Sequence, residues 1–156
     1  MTETAPPRSA KQRKQDTIRR FEEDVDAWVA TAGPEGGAPY MMPLSFLWRD
    51  GLLYVSTRAS NPVARNLVAG GRVHLGIGRT RDVVHVEGVA EALGDGEVDE
   101  GLRREFAAKT GFDPAGIEGQ RYLYFRIRPV RILAWREVDE LAERELMRDG
   151  AWLVTD

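Results

Sequence analysis

The chain has 156 residues with no cysteine and two histidines, and its 22 basic and 25 acidic residues leave a net charge of −3. Disulfides, thiolate nucleophiles, Cys-bearing zinc sites and a three-histidine metal centre are excluded, and the spacing of the remaining ligand types suggests no metal site. There is no overall positive field to attract a polyanion, and no apolar stretch nears the ~20 residues that span a bilayer, so neither nucleic acid nor membrane is an expected partner.

The opening run MTETAPPRSAKQRKQD is basic but lacks the apolar segment of a secretory signal; together with the missing cysteines this predicts a cytoplasmic protein. Residues 1–9 read as a mobile tail and 10–156 as one domain. Ile18, Phe21 and Val25 recur at helical spacing over 10–24. From Ala27 the period becomes two: AWVATA (27–32) is a strand, GPEGG (33–37) a turn, and PYMMPLSFLW (39–48) a strand with Tyr40, Met42, Leu44, Phe46 and Trp48 on one face. Pro43 has no N–H to give a central ladder, which marks an edge or a bulge. RDG (49–51) turns the chain into LLYVST (52–57).

Asn61-Pro62 opens a helix over 62–69 that Gly70 and Gly71 end. RVHLGIG (72–78) and VVHVEGVAEAL (83–93) alternate again, with His74 and His85 opposite the apolar faces. Val98, Leu102 and Phe106 stripe a helix over 97–110, which Gly111 stops. An irregular loop leads to RYLYFRIRPVRILAW (121–135), read as two strands with a bulge or corner at Pro129. The end of the chain, 139–154, pairs charges at helical spacing, Glu140 with Arg144 among them. Strands joined mostly by hairpins predict a mainly β (α+β) fold, an antiparallel barrel of six or seven strands with short flanking helices.

One stretch concentrates polar groups: STRASNPVARNL, Ser56 to Leu67. Thr57 and Ser60 supply hydroxyls beside a helix N-terminus, Arg58 supplies a forked cation, and Arg65, one turn in, leans back toward the same end. The stretch is either an anion cradle or an ordinary capped helix with two solvated arginines.

The order MMPLSF, LYVSTR, NPVARNL, GRVHLGIG, VVHVEG resembles the pyridoxamine 5′-phosphate oxidase-like family over roughly residues 24–136. RDVVHVEG, PVRILAW and LMRDGAWLV resemble its small actinobacterial-type members, many of which use a deazaflavin. The resemblance implies a split barrel, a homodimer and a cofactor at the dimer interface, FMN or alternatively an 8-hydroxy-5-deazaflavin coenzyme. It implies ring contacts from Met42, Pro43, Leu44 and Ser45, and phosphate or ribityl contacts from Thr57, Arg58, Ser60, Asn61, Arg65 and Asn66. Where many relatives carry a lysine three residues before the Asn-Leu pair, this chain has Val63, so one cation is missing. The implied activity is hydride transfer between the cofactor and an unknown small molecule; the alternative is a non-catalytic flavin, deazaflavin or haem binding or storage protein.

Other candidates have plainer readings beside the functional ones. His85 and His74 are either solvated strand histidines or contacts to a ring, substrate or haem iron. Trp28, Tyr122 and Tyr124 are read as surface aromatics that a second copy would bury. Trp135 is read as closing the barrel in preference to flanking the cofactor from a partner subunit, and Arg126, Arg128 and Arg131 as a solvated basic face or an anion attractor. GIGRTR lacks the third glycine of a dinucleotide fingerprint, no G-x-S-x-G or P-loop is present, and no acid/base pair stands out, so no catalytic residue is assigned.

Overall fold

Every second residue of the strands turns to a common interior: Val29, Phe46, Leu53, Val55, Leu75, Ile77, Val86, Phe125, Ile127 and Ile132 are all fully buried. A computed structural model describes residues 5–155 and carries this interior in α1 (Ala10–Glu23), β1 (Asp26–Ala32), β2 (Pro39–Arg49), β3 (Leu52–Arg58), α2 (Pro62–Gly70), β4 (Arg72–Arg79), β5 (Asp82–Ala92), α3 (Glu100–Thr110), β6 (Tyr122–Arg136), β7 (Glu145–Arg148) and β8 (Ala151–Trp152). The strands pair antiparallel in the order β3-β2-β1-β4-β5-β6-β7-β8, and β3 also pairs with β6. That last pairing closes six strands into a barrel and leaves β7 and β8 as an extension, as the hairpin spacing predicts.

The β2–β3 hairpin turns at Asp50 and Gly51, whose φ angles of 52° and 77° match the twist of the flanking strands. The expected pair of strands over 121–135 is corrected: β6 is one continuous strand of 15 residues. Its partner β5 matches Glu87 with Arg131 and Gly88 with Pro129, so Val130 is left over as a bulge. The bulge absorbs the missing proline N–H without breaking the strand. It also brings β6 against residue 88, where a Cβ would lie 2.7 Å from Ile127 Cγ2.

α1 seats on the barrel differently from its apolar spacing. Phe21 is buried, Ile18 is half-buried, and Val25 lies beyond the helix and is exposed; the rest of the buried face is Arg13, Lys14 and Thr17. The reason is the surface beneath, which presents carbonyls. Arg13 Nη1 donates to the Ala134 and Glu143 carbonyls at 3.3 and 2.5 Å, and Lys14 Nζ to the Val154 carbonyl at 3.2 Å.

The expected Glu140–Arg144 pair is also corrected. Residues 138–143 form a 3₁₀ helix that turns Glu140 inward, to 3% exposure. There Glu140 accepts hydrogen bonds from the Arg8 amide (3.0 Å), from Arg8 Nε and Nη2 (3.0 and 2.7 Å) and from the Arg136 amide (2.7 Å). Burial pushes this carboxyl up, but the Arg8 bonds and the two amides overcome it and hold its pKa at about 2. Arg8 and Ser9, within the stretch read as a tail, are thus tied down, Ser9 as the N-cap of α1; residues 1–4 lie outside the described residues. Arg144 instead lies over the Trp135 ring at 5.6 Å.

Candidate functional site

The strand carrying Pro43 changes partners halfway. Residues 39–45 of β2 pair with β1, and residues 46–49 pair with β3. The far end of β3, Ser56 to Arg58, has by then turned away to pair with β6. A wedge opens between them, a cleft of about 520 Å³ lined by Met42, Pro43, Leu44 and Ser45 on one side and Ser56, Thr57, Arg58 and Asn61 on the other.

Proline fits here for a stereochemical reason. The Phe46 amide donates to the Val25 carbonyl on the β1 side, so by the alternation of a strand the backbone groups of Met41, Pro43 and Ser45 point to the opposite edge. Among the described residues no strand covers that edge below Phe46. Pro43 therefore forfeits no ladder bond, and the edge offers carbonyls and the Ser45 amide to a ligand.

Five wall residues are not assigned to the site from the sequence: Asp26, Ser56, Phe106, Phe112 and Tyr122, of which Phe106 reads as part of a helix stripe and Tyr122 as a dimer-face aromatic. Asp26 pairs with Ser45 and accepts its hydroxyl hydrogen bond at 2.8 Å. Tyr122 stands opposite Arg58 across the barrel closure, accepts a bond from Arg58 Nε at 3.3 Å, and packs on Phe112 with ring centroids 5.5 Å apart. Arg58 is exposed, and among the described residues its two terminal nitrogens have no hydrogen-bond partner.

The loop into α2 uses most of its amides itself. Ala59 N–H donates to the Arg121 carbonyl and Asn61 N–H to the Arg58 carbonyl, while the Asn61 side chain caps the Val63 amide at 3.0 Å. The wedge's cationic character therefore comes from a guanidinium more than from a nest of amides. Val63 is fully buried, so the position where many relatives of the resembled family carry lysine faces the core in this chain.

Ser60, Arg65 and Asn66 do not line the wedge. Ser60 and Arg65 are exposed, and Asn66 fastens α2 to β1 by donating to the Thr31 hydroxyl at 3.1 Å. Tyr124, read as a surface aromatic, is buried at 8% exposure against Phe106, because its strand closes the barrel under α3. Trp135 does not enter the barrel, whose closure is the β3–β6 pairing; it lies half-buried outside, under Arg144. Arg126 and Arg131 are neutralised locally by Glu91 and Glu145, each with Nε at 2.7 Å from the carboxylate.

A larger groove of about 720 Å³ runs beside α1 and the β4–β5 hairpin. Its lining carries several ion pairs, Arg20 with Asp82 and Arg81 with Glu137 among them. His74 and His85 lie outside both spaces, on the outer face of β4 and β5, where His74 Nδ1 and His85 Nε2 share a hydrogen bond of 2.9 Å. Burial, helped by the neighbouring His74, lowers the pKa of His85. No helix among the described residues is long and apolar enough to cross a membrane.

Comparison with known proteins bears on this site. Residues 15–136 match the family described as Pyridoxamine 5′-phosphate oxidase. No curated protein matches the sequence. Among solved structures, a FAD-binding protein from Mesorhizobium loti superposes with a TM-score of 0.62 at 20% identity, over 81% of this chain and 92% of that one. An F420 reductase superposes with a TM-score of 0.59 at 16% identity, over 73% and 93% of the two chains. A heme binding protein from Mycobacterium smegmatis gives 0.66 at 17% identity, over 94% of this chain and 60% of that one. At these identities the likeness shows a common fold.

Proposed function

Because the chain belongs to the pyridoxamine 5′-phosphate oxidase family of split barrels, we propose that it binds FMN in the wedge between β2 and β3 and works as an oxidoreductase on a small molecule. The observation that carries this reading is the wedge itself. One apolar wall, one open strand edge and one guanidinium whose terminal nitrogens have no partner among the described residues stand around a space of small-molecule size.

The residues divide by chemistry. Met42, Pro43, Leu44, Phe106 and Phe112 give a flat ring an apolar bed and keep water from it. The open edge at Pro43 and Ser45 supplies backbone partners for ring heteroatoms. Thr57, Arg58 and the Asn61 end of α2 hold the phosphate side, with Arg58 fixed in place by Tyr122. Ser60, Arg65 and Asn66 complete the proposed set around the ribityl chain only if the Ser60–Asn66 segment shifts on binding. Bound flavin supplies the hydride chemistry, and the protein positions and shields it. Asp26 is the carboxylate on the wall and orients the Ser45 hydroxyl; no acid/base pair is required of the chain.

An 8-hydroxy-5-deazaflavin coenzyme is the second reading, favoured by one observation. With Val63 in the core, the wedge offers Arg58 as its cation, which suits a singly charged phosphodiester better than a phosphate dianion. Titrating the protein with FMN and with the deazaflavin side by side, followed by fluorescence, tests both. Saturable binding of one is expected, and Arg58→Ala is expected to weaken it about 10- to 100-fold, the range of a lost charge-assisted hydrogen bond. Absence of binding by either compound overturns the reading. Tight binding without turnover by any electron donor leaves the storage alternative.

The functional unit we propose is a homodimer. Trp28 and Met41 are 53% and 60% exposed on the neighbouring strands β1 and β2, beside the uncovered edge. A second copy seated there would bury them and wall the wedge. Sedimentation is expected to show a dimer at micromolar concentration and a monomer for Trp28→Glu combined with Met41→Glu; a monomeric parent protein rules the dimer out.

A further inference from the structure

Two imidazoles and a carboxylate meet on the outer face of the β4–β5 hairpin, and none of them lines the wedge. They come from separate positions in the chain, which strand register brings together. His74 stands directly opposite Glu87, and His85 stands opposite Gly76. Residues opposite one another in an antiparallel pair share a face, and so do residues two apart along a strand, so all three side chains rise from the same side.

Gly76, opposite His85 and two residues from His74, adds no side chain to this face, and a Cβ built there would meet only Trp28 Cβ, at 4.0 Å. The rings lie 5.0 Å apart between centroids, tilted by 34°, with Nδ1 of His74 and Nε2 of His85 2.9 Å apart. At that distance one ring nitrogen donates and the other accepts, so the two nitrogens face each other across one narrow gap. The Glu87 carboxylate completes a set whose three ligand atoms all lie within 4.8 Å of one another.

We propose that His74, His85 and Glu87 bind a divalent metal ion of the zinc and cobalt class, the metal replacing the shared proton. Two nitrogens at ~2.0–2.1 Å from a tetrahedral ion are roughly 3.3 Å apart, so the histidines need to separate by only about 0.4 Å. Imidazole and carboxylate ligands select borderline metals of this kind over magnesium or calcium. His74 is exposed and His85 and Glu87 are half-buried, which leaves the remaining coordination positions to water or an incoming ligand. The cation that competes for Glu87 is Arg131, with Nη1 3.7 Å away; it already donates from Nε to Glu145 at 2.7 Å, so Glu87 is its weaker partner. Three ligands on two adjacent strands of one chain also mean that the site takes no ligand from the wedge or from a second copy, although Trp28 of the proposed dimer face pairs with Gly76 beside it.

The test uses the full-length protein, stripped of metal with a chelator and dialysed. Zn²⁺ is titrated by calorimetry and Co²⁺ by its visible spectrum. One ion per chain with a micromolar Kd is expected, together with a rise in melting temperature of about 5–10 °C at a hundredfold excess over Kd. His74→Gln and His85→Gln, which keep polar side chains of similar size, are each expected to weaken binding by at least about 100-fold, more than the loss of an outer partner of a metal ligand. Glu87→Gln is expected to weaken it roughly tenfold, and Arg58→Ala to leave it unchanged, which separates this site from the wedge. No saturable Zn²⁺ binding up to millimolar concentration, or equal binding by the His74→Gln/His85→Gln double variant and the parent, overturns the proposal.

Discussion

Alanine in place of Arg8 is expected to lower the unfolding free energy by about 3–5 kcal/mol and the melting temperature by roughly 10 °C. The magnitude comes from what is left behind. Glu140 is 3% exposed, and Arg8 supplies its amide, Nε and Nη2 to that carboxylate. Removing the guanidinium leaves a buried negative charge with its backbone donors alone. Removing both partners is expected to be much milder, because no orphaned charge remains, so Arg8→Ala combined with Glu140→Ala should be more stable than Arg8→Ala alone.

The same clasp sets an acid limit. The Glu140 pKa is held at about 2 in the folded chain against an ordinary 4.5. A depressed carboxyl stabilises the fold above its unfolded pKa and loses that contribution as pH falls through the folded value. About 3 kcal/mol is therefore present at neutral pH and is lost between roughly pH 4.5 and pH 2. Urea melts across that range should show a shallower decline for Arg8→Ala than for the parent. An Arg8→Ala midpoint equal to the parent's at pH 7 would rule out the clasp as a stabilising element.

Alanine at Phe46 is the second large effect, expected at about 3–5 kcal/mol for a fully buried phenylalanine. This residue is the hinge of the wedge. It is the first residue of β2 to pair with β3, its amide holds the Val25 carbonyl, and its own carbonyl accepts from Lys109 Nζ at 3.2 Å. Lys109 also sits 4.4 Å over the Phe46 ring. Truncation is expected to leave a cavity at the partner switch and to loosen the adjacent stretch from Met42 to Ser45, so exchange of the Met42 and Leu44 amides that face β1 should accelerate. Phe125 is equally buried on β6 and does not line the wedge. Phe125→Ala is expected to cost similar stability while protecting that stretch better. Equal exchange at the Met42 and Leu44 amides in the two variants would remove Phe46 from its hinge role.

Much of the architecture was legible because it is periodic. Alternation over 72–78 and 83–93, the RDG turn and the Asn61-Pro62 start are all local signals, and each appears in the fold where its chemistry places it. Pro43 reads from the sequence as marking an edge or a bulge, and the structure gives the edge, since a residue without an N–H restricts its own neighbourhood. Local reading failed where distant segments intervene. α1 buries Arg13 and Lys14 because carbonyls from β6, the 3₁₀ helix and the C-terminal segment lie beneath it. Glu140 turns away from Arg144, at helical spacing, toward Arg8, 132 residues earlier.

The sequence by itself determined the strand alternation, the capped helix after β3 and the family, since each is written in neighbouring residues or in their order. Tertiary structure alone decided the rest: that Arg58 meets Tyr122, that Phe106 and Phe112 wall the wedge, and that His74, His85 and Glu87 share one face. The physical reason is barrel closure and strand register. These fix which residues stand opposite one another across long separations, and a one-residue slip of a strand would turn each of its side chains to the other face.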